Sequence, residues 1–481
     1  MNYELLPVPG EERLSEECEH FVSLGRIWHV HMARKRLLLG VVLTLLLIAV
    51  VSSCTIASPL FASAALAALA IFYLVLHRPW LATMFVFLGA GLPSLLFPVP
   101  GHTVRPVEAT LFLCFVLIIL LRPTARLKIP HVLALLFFAV AIISFIHAPE
   151  ISTSSNVFGA NKRVYDLAVI LLALFCGTFL VEYIADMSSF LVTVLLSNIP
   201  LYLIALAQAL GIPLPTLLSP NQNPMLTGDG GRLVGPFSGA AEFGIYLTSL
   251  FAVALSCWLL GTRKRDRNVG ALMTFMTVLA LVGSGTRSAL IAMAIMLCAA
   301  LFITRRFKAF CGVIVLAVAG FAAFPNIILS HFTHAQTSTS NRLFLWGEAV
   351  KLIVNNPIIG IGLEQFHYYY NRLIISQSTQ LNQHGISVHN QYLEWGMEGG
   401  IPWLILGILF LVSIVVVCVH YYRFARQEQR LLLLAAILAV GATIVIGFLD
   451  VPFDNVEGGV FLCMLAGMAL ASTVRITRKE K

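Results

Sequence analysis

Long apolar runs separated by short polar intervals dominate this sequence of 481 residues. A run of about 17–25 apolar residues is long enough to cross a bilayer as a helix. Fourteen such runs can be distinguished by their Pro, Gly and charged borders, and the pattern predicts an all-α polytopic membrane protein with about 12–14 transmembrane helices. The runs begin near Leu37, Pro59, Trp80, Pro106, Pro130, Tyr165, Ser189, Pro236, Val269, Ser288, Ala309, Ile401, Leu431 and Gly459.

The placement of basic residues predicts how these helices are oriented. Cytoplasmic loops collect Lys and Arg, whereas translocated loops do not. With the N-terminus inside, 23 of the 31 basic residues fall on the inner side. A shift by one helix would scramble this separation, so we expect an even number of helices and two cytoplasmic termini. The eight outer basic residues are Arg105, Lys162, Arg163, Arg232, Arg287, Arg342, Lys351 and Arg372.

The amino-acid composition further restricts the class of protein. Hydrophobic residues make up 59% of the chain and charged residues 11%, well below the roughly 25% of a globular domain. The net charge of +8 reflects topology rather than nucleic-acid binding. A polar start ahead of the first apolar run predicts a cytoplasmic tail without a cleavable signal peptide. The nine cysteines form no zinc spacing or disulfide framework, and no metal or cofactor motif is present.

Three outer intervals are long enough to carry chemistry, at 148–163, 211–235 and 329–400, the last with 72 residues. We therefore expect the protein to act on its outer face. The predicted organisation is a tail at 1–36, a bundle of about eleven helices at 37–328 with the outer loop 211–235, a catalytic outer loop at 329–400, C-terminal helices at 401–474 and a tail at 475–481.

A helix is predicted inside the 72-residue interval. Apolar side chains recur at helical spacing after Asn341, a possible N-cap, and Pro357 ends the pattern. The apolar positions are Leu345, Trp346, Ala349, Val350, Leu352 and Ile353. This amphipathic pattern is typical of a helix that lies on or near the membrane surface.

Outer arginines are the clearest candidates for binding, because each one opposes the bias that keeps basic residues inside. Arg287 lies where two apolar runs meet almost directly, and either snorkels to the interface or binds an anion. Arg232 follows a glycine-rich turn, and pairs with Glu242 or binds a ligand. Arg342 opens the predicted surface helix. Guanidinium groups bind phosphate in a bidentate manner, which favours a lipid-linked diphosphate at this depth.

His389 is a natural proton acceptor at neutral pH, and Asn390 next to it could orient either the imidazole or a sugar hydroxyl. Glu394 and Glu398 lie one helical turn apart and share a face with His389 if the following helix starts early. Four further outer histidines compete with His389, which on these grounds alone is more often a surface or hydrogen-bonding residue. They are His331, His334, His367 and His384.

Three segments resemble the shared core of the bacterial O-antigen ligase and O-antigen polymerase superfamily. They are "GSGTRSALIAM" from Gly283, "NRLFLWGEAVKLIVNNPIIGIGLEQF" from Asn341 and "HNQYLEWGMEGGIPW" from His389, and they occur in the family's order. The resemblance extends over about residues 228–403. It implies a multi-spanning inner-membrane glycosyltransferase that takes glycans from undecaprenyl diphosphate at the periplasmic face.

The resemblance also implies roles for single residues. Arg287 resembles the family arginine implied to hold the diphosphate, and Arg232 resembles the arginine ahead of the family's Gly-Pro-Phe-like segment. His389 matches the implied catalytic histidine of ligases. Residues 401–403, Ile-Pro-Trp, replace the small or hydroxylic residues usual after Gly400, and the helix count exceeds the dozen typical of ligases. Ligase and polymerase therefore both stay open, and with them the acceptor, which is a growing glycan or a lipid-A core.

The sequence thus predicts a metal-independent and inverting transfer, with His389 catalytic and with Arg287, Arg232, Arg342, Asn390 and Glu394 binding the substrate. The expected partners are the lipid-linked glycan donor, the glycan or lipid-A-core acceptor, membrane lipids and other polysaccharide assembly proteins, without nucleic acid. The alternatives are a transporter or flippase of lipid-linked glycans and a non-catalytic assembly component.

Overall fold

The computed structural model describes residues 71–477 except 72, 94–96, 100–101, 122, 124–125, 149–153, 216–231, 309–310, 313–335, 367–368 and 370–386. The chain divides into two compact units, residues 1–78 and 79–481. In the first unit, residues 73–77 are helical and the Tyr73 and His77 rings lie 4.4 Å apart. The features described below belong to the second unit.

Thirteen α-helices form the described part of the second unit. They are α1 (Trp80–Ala90), α2 (Pro106–Leu121), α3 (Ile129–His147), α4 (Ser154–Leu180), α5 (Met187–Ser197), α6 (Ile199–Ala209), α7 (Ala240–Leu260), α8 (Lys264–Ser284), α9 (Arg287–Ile303), α10 (Gln336–Asn355), α11 (Gln391–Tyr422), α12 (Gln427–Ile446) and α13 (Val456–Thr477). A 3₁₀ turn, Val181–Tyr183, follows α4.

Two short strands interrupt the helical pattern between α1 and α2. Strands β1 (Phe97–Val99) and β2 (His102–Val104) pair antiparallel, with Phe97 opposite Val104. The sequence pattern did not predict this hairpin, because three-residue strands are too short to give a period-two signal.

The prediction of an all-α polytopic membrane protein is confirmed. Within the described residues, eight helical segments are long and apolar enough to cross a membrane, and three shorter apolar helices accompany them. The predicted run that begins near Ser189 is two helices, α5 and α6, which meet at Asn198 with Pro200 at the start of α6. The run near Leu37 lies outside the described residues, as do most of the runs near Pro59 and Ala309.

Close packing of α4 and α13 anchors the centre of the second unit. A Cβ on Gly467 would lie within 2.0 Å of the Leu174 carbonyl oxygen, and one on Gly177 within 2.2 Å of the Met464 carbonyl oxygen. Only glycine lets the two backbones approach so closely, which is how membrane helices gain packing contacts. Helices α7 and α12 are also largely buried, whereas α2, α3 and α8 expose rows of large apolar side chains that suit contact with lipid.

Loops that were predicted to share the inner side contact one another. Arg306 donates to the Leu259 carbonyl oxygen (3.1 Å), and Gln427 donates to that of Leu260 (3.0 Å). Arg263 pairs with Asp186 at 2.9 Å. The predicted outer arginines take part in other clusters, described below. The predicted inner loops therefore lie together, away from the predicted outer arginines, as the charge pattern of the sequence indicates.

The bounds of helix α10 correct the predicted N-cap, and its packing supports the predicted apolar face. It begins at Gln336, so Asn341 lies inside the helix and is not its N-cap. It ends at Asn355, two residues before Pro357. The predicted apolar face packs against Ile361, Val388 and Met397 through Leu345, Ala349 and Leu352, whereas Val350 is exposed.

Helix α11 begins ten residues before the predicted start at Ile401. The segment from Gln391 to Gly400, assigned to the outer loop from its polarity, is helical and mostly buried. Gly400 interrupts the helix with φ 77° and ψ −179°, a backbone conformation found almost only at glycine. The break allows the Ile401 N–H to donate to the Pro357 carbonyl oxygen (2.8 Å).

Replacing Gly400 with alanine is expected to destabilise the protein by about 1–3 kcal/mol, because the conformation is strained for any L side chain. A Cβ there would also lie 2.5 Å from the Ile358 carbonyl oxygen. Thermal unfolding of the purified protein measures the effect. Gly441→Ala in α12 is the matched control, since a Cβ at that glycine meets no atom within 4 Å. Equal melting temperatures for the two variants would contradict the assigned strain.

Candidate active site

Asn390 caps the helix that carries the predicted site. Its side-chain oxygen accepts hydrogen bonds from the Tyr392 and Leu393 N–H groups (3.0 Å each), as an N-cap residue does. Its side-chain amide donates to the Phe448 carbonyl oxygen (3.1 Å). Both polar groups of Asn390 are thus used to start α11 and fix its position. A contact with substrate stays a prediction.

His389 lies just before this cap, outside the helix. Its backbone is left-handed, with φ 50°, and 45% of its side chain is exposed. Its Nδ1 lies 3.6 Å from Asp450 Oδ1. The imidazole is therefore partly exposed, and one of its ring nitrogens lies near a carboxylate but beyond hydrogen-bond distance.

The loop between α12 and α13, residues 447–455, forms the wall beside His389. The Gln391 N–H donates to the carbonyl oxygens of Gly447 (2.8 Å) and Asp450 (3.2 Å). The Gln391 side-chain oxygen accepts from the Phe453 N–H (2.9 Å). These bonds hold the 447–455 loop against the start of α11, so Asp450 is kept beside His389.

Arg342 contacts the same loop from α10. Its Nη1 donates to the Leu449 carbonyl oxygen at 2.9 Å, and its side chain is half-buried. The structure thus brings Arg342 to the wall that holds Asp450. The predicted role of Arg342 in substrate binding is not tested by this contact, which ties α10 to the 447–455 loop.

A buried ion pair connects α4 to the first turn of α11, just after His389 in the chain. Arg163 Nη2 lies 2.5 Å from Glu394 Oε1, and the exposed fractions of these residues are 9% and 6%. Arg163 also pairs with Asp454 of the 447–455 loop. Glu394, predicted to bind substrate, is therefore the partner of a buried guanidinium. Removal of either partner would leave an uncompensated charge in a poorly hydrated site.

Glu398 lies one turn further along α11 and is 3% exposed. One of its carboxylate oxygens accepts from the Glu364 N–H (3.0 Å), and its backbone carbonyl oxygen accepts from the Ser144 hydroxyl (2.6 Å). Glu394 and Glu398 share a helix face as predicted, but His389 precedes the cap and does not belong to that face. The two glutamates are therefore buried beneath the exposed His389 and hold α11 against the neighbouring elements.

A second cluster surrounds Arg105 at the start of α2. Its guanidinium lies 3.5 Å from Asp166, 3.8 Å from Glu108 and 3.8 Å from Glu457. Burial alone would lower the pKa of Arg105, but the charges of Glu457, Asp166 and Glu108 outweigh it, so the pKa lies above its ordinary value. Arg105 therefore stays charged and holds three helices together at this end of the bundle.

Arg232 contacts the turn between α8 and α9, which Arg287 follows directly. Arg232 Nε donates to the Ser284 carbonyl oxygen (2.8 Å), and its Nη2 lies 3.3 Å from Thr286 Oγ1. Arg287 is the first residue of α9 and is exposed. The alternative pairing of Arg232 with Glu242 is not formed, since the Glu242 carboxylate accepts from Ser238 instead.

The start of α7 links this turn to the 447–455 loop. Thr286 Oγ1 donates to the Ala240 carbonyl oxygen (2.7 Å), and Asn455 Nδ2 donates to that of Glu242 (2.8 Å). Asn455 follows Asp454, the partner of Arg163. The two predicted diphosphate arginines, the buried ion pair and the His389–Asp450 contact therefore border the same end of the bundle.

Sequence reasoning missed Asp450, Asp454, and the structural importance of Arg105 and Arg163. Arg105 and Arg163 were noted as outer arginines, which was the available signal. The segment "FLDVPFDN", Phe448–Asn455, carries two aspartates between apolar runs and was passed over because it is short. The competing residues His331, His334, His367 and His384 lie outside the described residues.

The fold and this charged end define a multi-pass membrane protein with a polar site at the mouth of its helix bundle. Residues 271–406 match the family model described as O-antigen ligase, Wzy_C. The match confirms the resemblance to the O-antigen ligase and O-antigen polymerase superfamily and supports glycan transfer of the O-antigen ligase type. It contains Arg287, Arg342 and His389, whereas Arg232 precedes it and Asp450 follows it. A search of curated proteins found no match.

Proposed function

We propose that this protein is a glycosyltransferase that transfers or polymerises undecaprenyl-diphosphate-linked glycans at the periplasmic face of the bacterial inner membrane. Both termini are then cytoplasmic, and residues 329–400 with the 447–455 loop face the periplasm. The observation that carries the proposal is the half-exposed imidazole of His389 held 3.6 Å from Asp450, at the charged end of a bundle that matches the O-antigen ligase family.

In the proposed reaction, an acceptor hydroxyl oxygen attacks the anomeric carbon of the lipid-linked glycan. The new glycosidic C–O bond forms as the C–O bond to the diphosphate breaks, and the bonding electrons leave on the diphosphate oxygen. His389 takes the hydroxyl proton. A single displacement of this kind inverts the anomeric centre, and it needs no metal ion.

Arg287 and Arg232 are proposed to stabilise the departing diphosphate. Arg287 is exposed at the first position of α9, where backbone N–H groups and the helix dipole favour an anion. Arg232 is held beside it by Ser284 and Thr286. Positive charge at the leaving group lowers the barrier more than it strengthens donor binding, because negative charge develops there in the transition state.

Asp450 is proposed as a positioning residue that orients His389. We expect Asp450→Asn to lower kcat about tenfold or more with little change in KM, because the imidazole loses the carboxylate that fixes its orientation. Asp450→Glu should recover part of the rate. Kinetics of glycan transfer by purified protein measure both.

Asp186→Asn is the control for Asp450→Asn. Asp186 caps α5 at the predicted inner side and pairs with Arg263, far along the chain from the proposed chemistry. Asn is also a good N-cap, so this variant should keep both fold and rate. Equal rates for Asp450→Asn and the wild type would remove Asp450 from the mechanism.

The transporter alternative is less well supported by the distribution of charge. Transporters place charged sites near the bilayer midplane, often on broken helices. In the eight apolar segments of the described residues, every Asp, Glu, Lys and Arg falls within the first eight or last two positions. Charge thus gathers at the ends of these segments, as expected of an enzyme that acts at the membrane surface.

A reconstituted assay separates the two acceptor classes. Purified protein receives undecaprenyl-diphosphate oligosaccharide either alone or with a lipid-A-core acceptor. A ladder of products from the donor alone identifies a polymerase, and a single shifted core band identifies a ligase. A donor that binds without forming either product would contradict the proposed transfer and favour the transporter or an assembly component.

A further inference from the structure

A cavity of about 380 Å³ lies at the C-terminal end of α7, whose first turn contacts the 447–455 loop beside His389. Its size falls within the range of about 300–1,000 Å³ typical of small-ligand sites. It lies where the end of α7, the start of α8 and the segment after α9 meet. Its lining residues are Trp258, Lys264, Arg267, Asn268, Ala271 and Arg306.

The lining contains three cations and no acidic residue. Lys264, Arg267 and Arg306 are all exposed. Two acidic groups lie nearby, outside the lining: Asp186 pairs with Arg263, and Asp266 is buried, accepts from Ser188 (2.7 Å) and lies 3.7 Å from Arg265. The cations that line the cavity therefore give its surface a positive charge.

The orientation of α8 adds to this charge. Lys264 and Arg267 lie in the first turn of the helix, where the positive end of the dipole disfavours cations. The N-cap residue, Arg263, gives no side-chain cap to the first N–H groups. An anion in the cavity would offset the repulsion among these charges.

Large apolar side chains surround the cavity and are exposed on the outside of the helix bundle. Leu272 and Phe275 on α8 are exposed, as are Phe302 and Phe307 near the end of α9. Trp258 is 43% exposed in the cavity wall, a position that suits the membrane–water interface. A ligand with a charged head and apolar chains fits a basic cavity beside such a surface.

We propose that this cavity binds the phosphate-ester headgroup of an anionic phospholipid in the inner leaflet of the membrane. The three cations contact the phosphate, and the acyl chains lie against the exposed apolar side chains of α8. Free phosphate has the same charged group, but it would leave the apolar surface unused. The site is separate from the proposed glycan chemistry, so the two proposals fail or succeed independently.

Native mass spectrometry of the purified full-length protein tests the proposal with three probes: phosphatidylglycerol, phosphatidylcholine and inorganic phosphate. The test variant carries Lys264→Gln, Arg267→Gln and Arg306→Gln. The control carries Lys308→Gln, Arg423→Gln and Arg426→Gln, which remove three exposed cations of the same predicted side outside the cavity. Thermal unfolding with each probe gives a second readout.

We expect the wild type to retain phosphatidylglycerol in preference to phosphatidylcholine. The test variant should lose about 100-fold of its phosphatidylglycerol affinity, because it removes three cations that contact the headgroup and each contact contributes about fivefold. The control should change much less. If the triple variant does not fold, Lys264→Gln alone should lower the affinity about fivefold.

Two results would overturn the proposal. Equal losses in the test and control variants would mean that net charge, rather than the cavity, attracts the lipid. Stabilisation by inorganic phosphate as strong as that by phosphatidylglycerol would identify a free anion as the ligand.

Discussion

Replacing His389 with alanine is expected to lower the rate of glycan transfer by about 10²- to 10⁴-fold, the usual contribution of a general base. The side chain is 45% exposed, and among the described residues its ring makes no hydrogen bond or ion pair other than the contact with Asp450, so the substitution should leave the fold intact. Initial rates with a lipid-linked oligosaccharide donor, at saturating acceptor, measure the change.

His147→Ala is the matched control for this variant. His147 is an exposed histidine at the last position of α3, on the predicted outer side. Its loss should leave the rate unchanged. A His389→Ala variant as active as His147→Ala would exclude His389 as the base and return the choice to the other outer histidines.

Replacing Arg163 with alanine is expected to cost about 3–5 kcal/mol of stability, because it breaks a buried ion pair and leaves Glu394 without its cation. The expected result is a large drop in melting temperature, or too little folded protein to purify. Thermal unfolding and the yield of monodisperse protein measure this effect.

The adjacent Lys162 provides the control. It lies on the same helix but is exposed, so Lys162→Ala should change stability little. Adding Glu394→Gln to Arg163→Ala should recover part of the loss, since the amide needs no counter-ion. If Arg163→Ala is as stable as Lys162→Ala, the ion pair does not support the site as described.

The sequence predicts the helices well because a bilayer-length apolar run carries its own signal. The apolar face of α10 and its end before Pro357 follow from local pattern in the same way. The early start of α11 does not follow from the local sequence pattern. Its first ten residues are polar enough to suggest a loop, and they are helical because Asn390 caps them and because the 447–455 loop and α10 cover them.

The site is only half predictable for a related reason. Each outer arginine can be identified from the predicted topology, and His389 can be identified from its motif. Their partners do not, because Asp450 lies 61 positions from His389 and Glu394 lies 231 from Arg163. Contacts across such separations depend on helix packing, for which a single sequence gives no local signal. Arg163, one of six outer arginines among eight outer basic residues, therefore could not be distinguished as a buried partner.

The central claim is that the protein cleaves the glycan from its lipid diphosphate as it forms a new glycosidic bond. The most direct measurement follows free undecaprenyl diphosphate and glycan product together, with wild-type protein in vesicles that carry the donor. The account predicts one diphosphate released for each bond formed, and a product of inverted anomeric configuration. Donor that crosses the bilayer intact, or product of retained configuration, would contradict it.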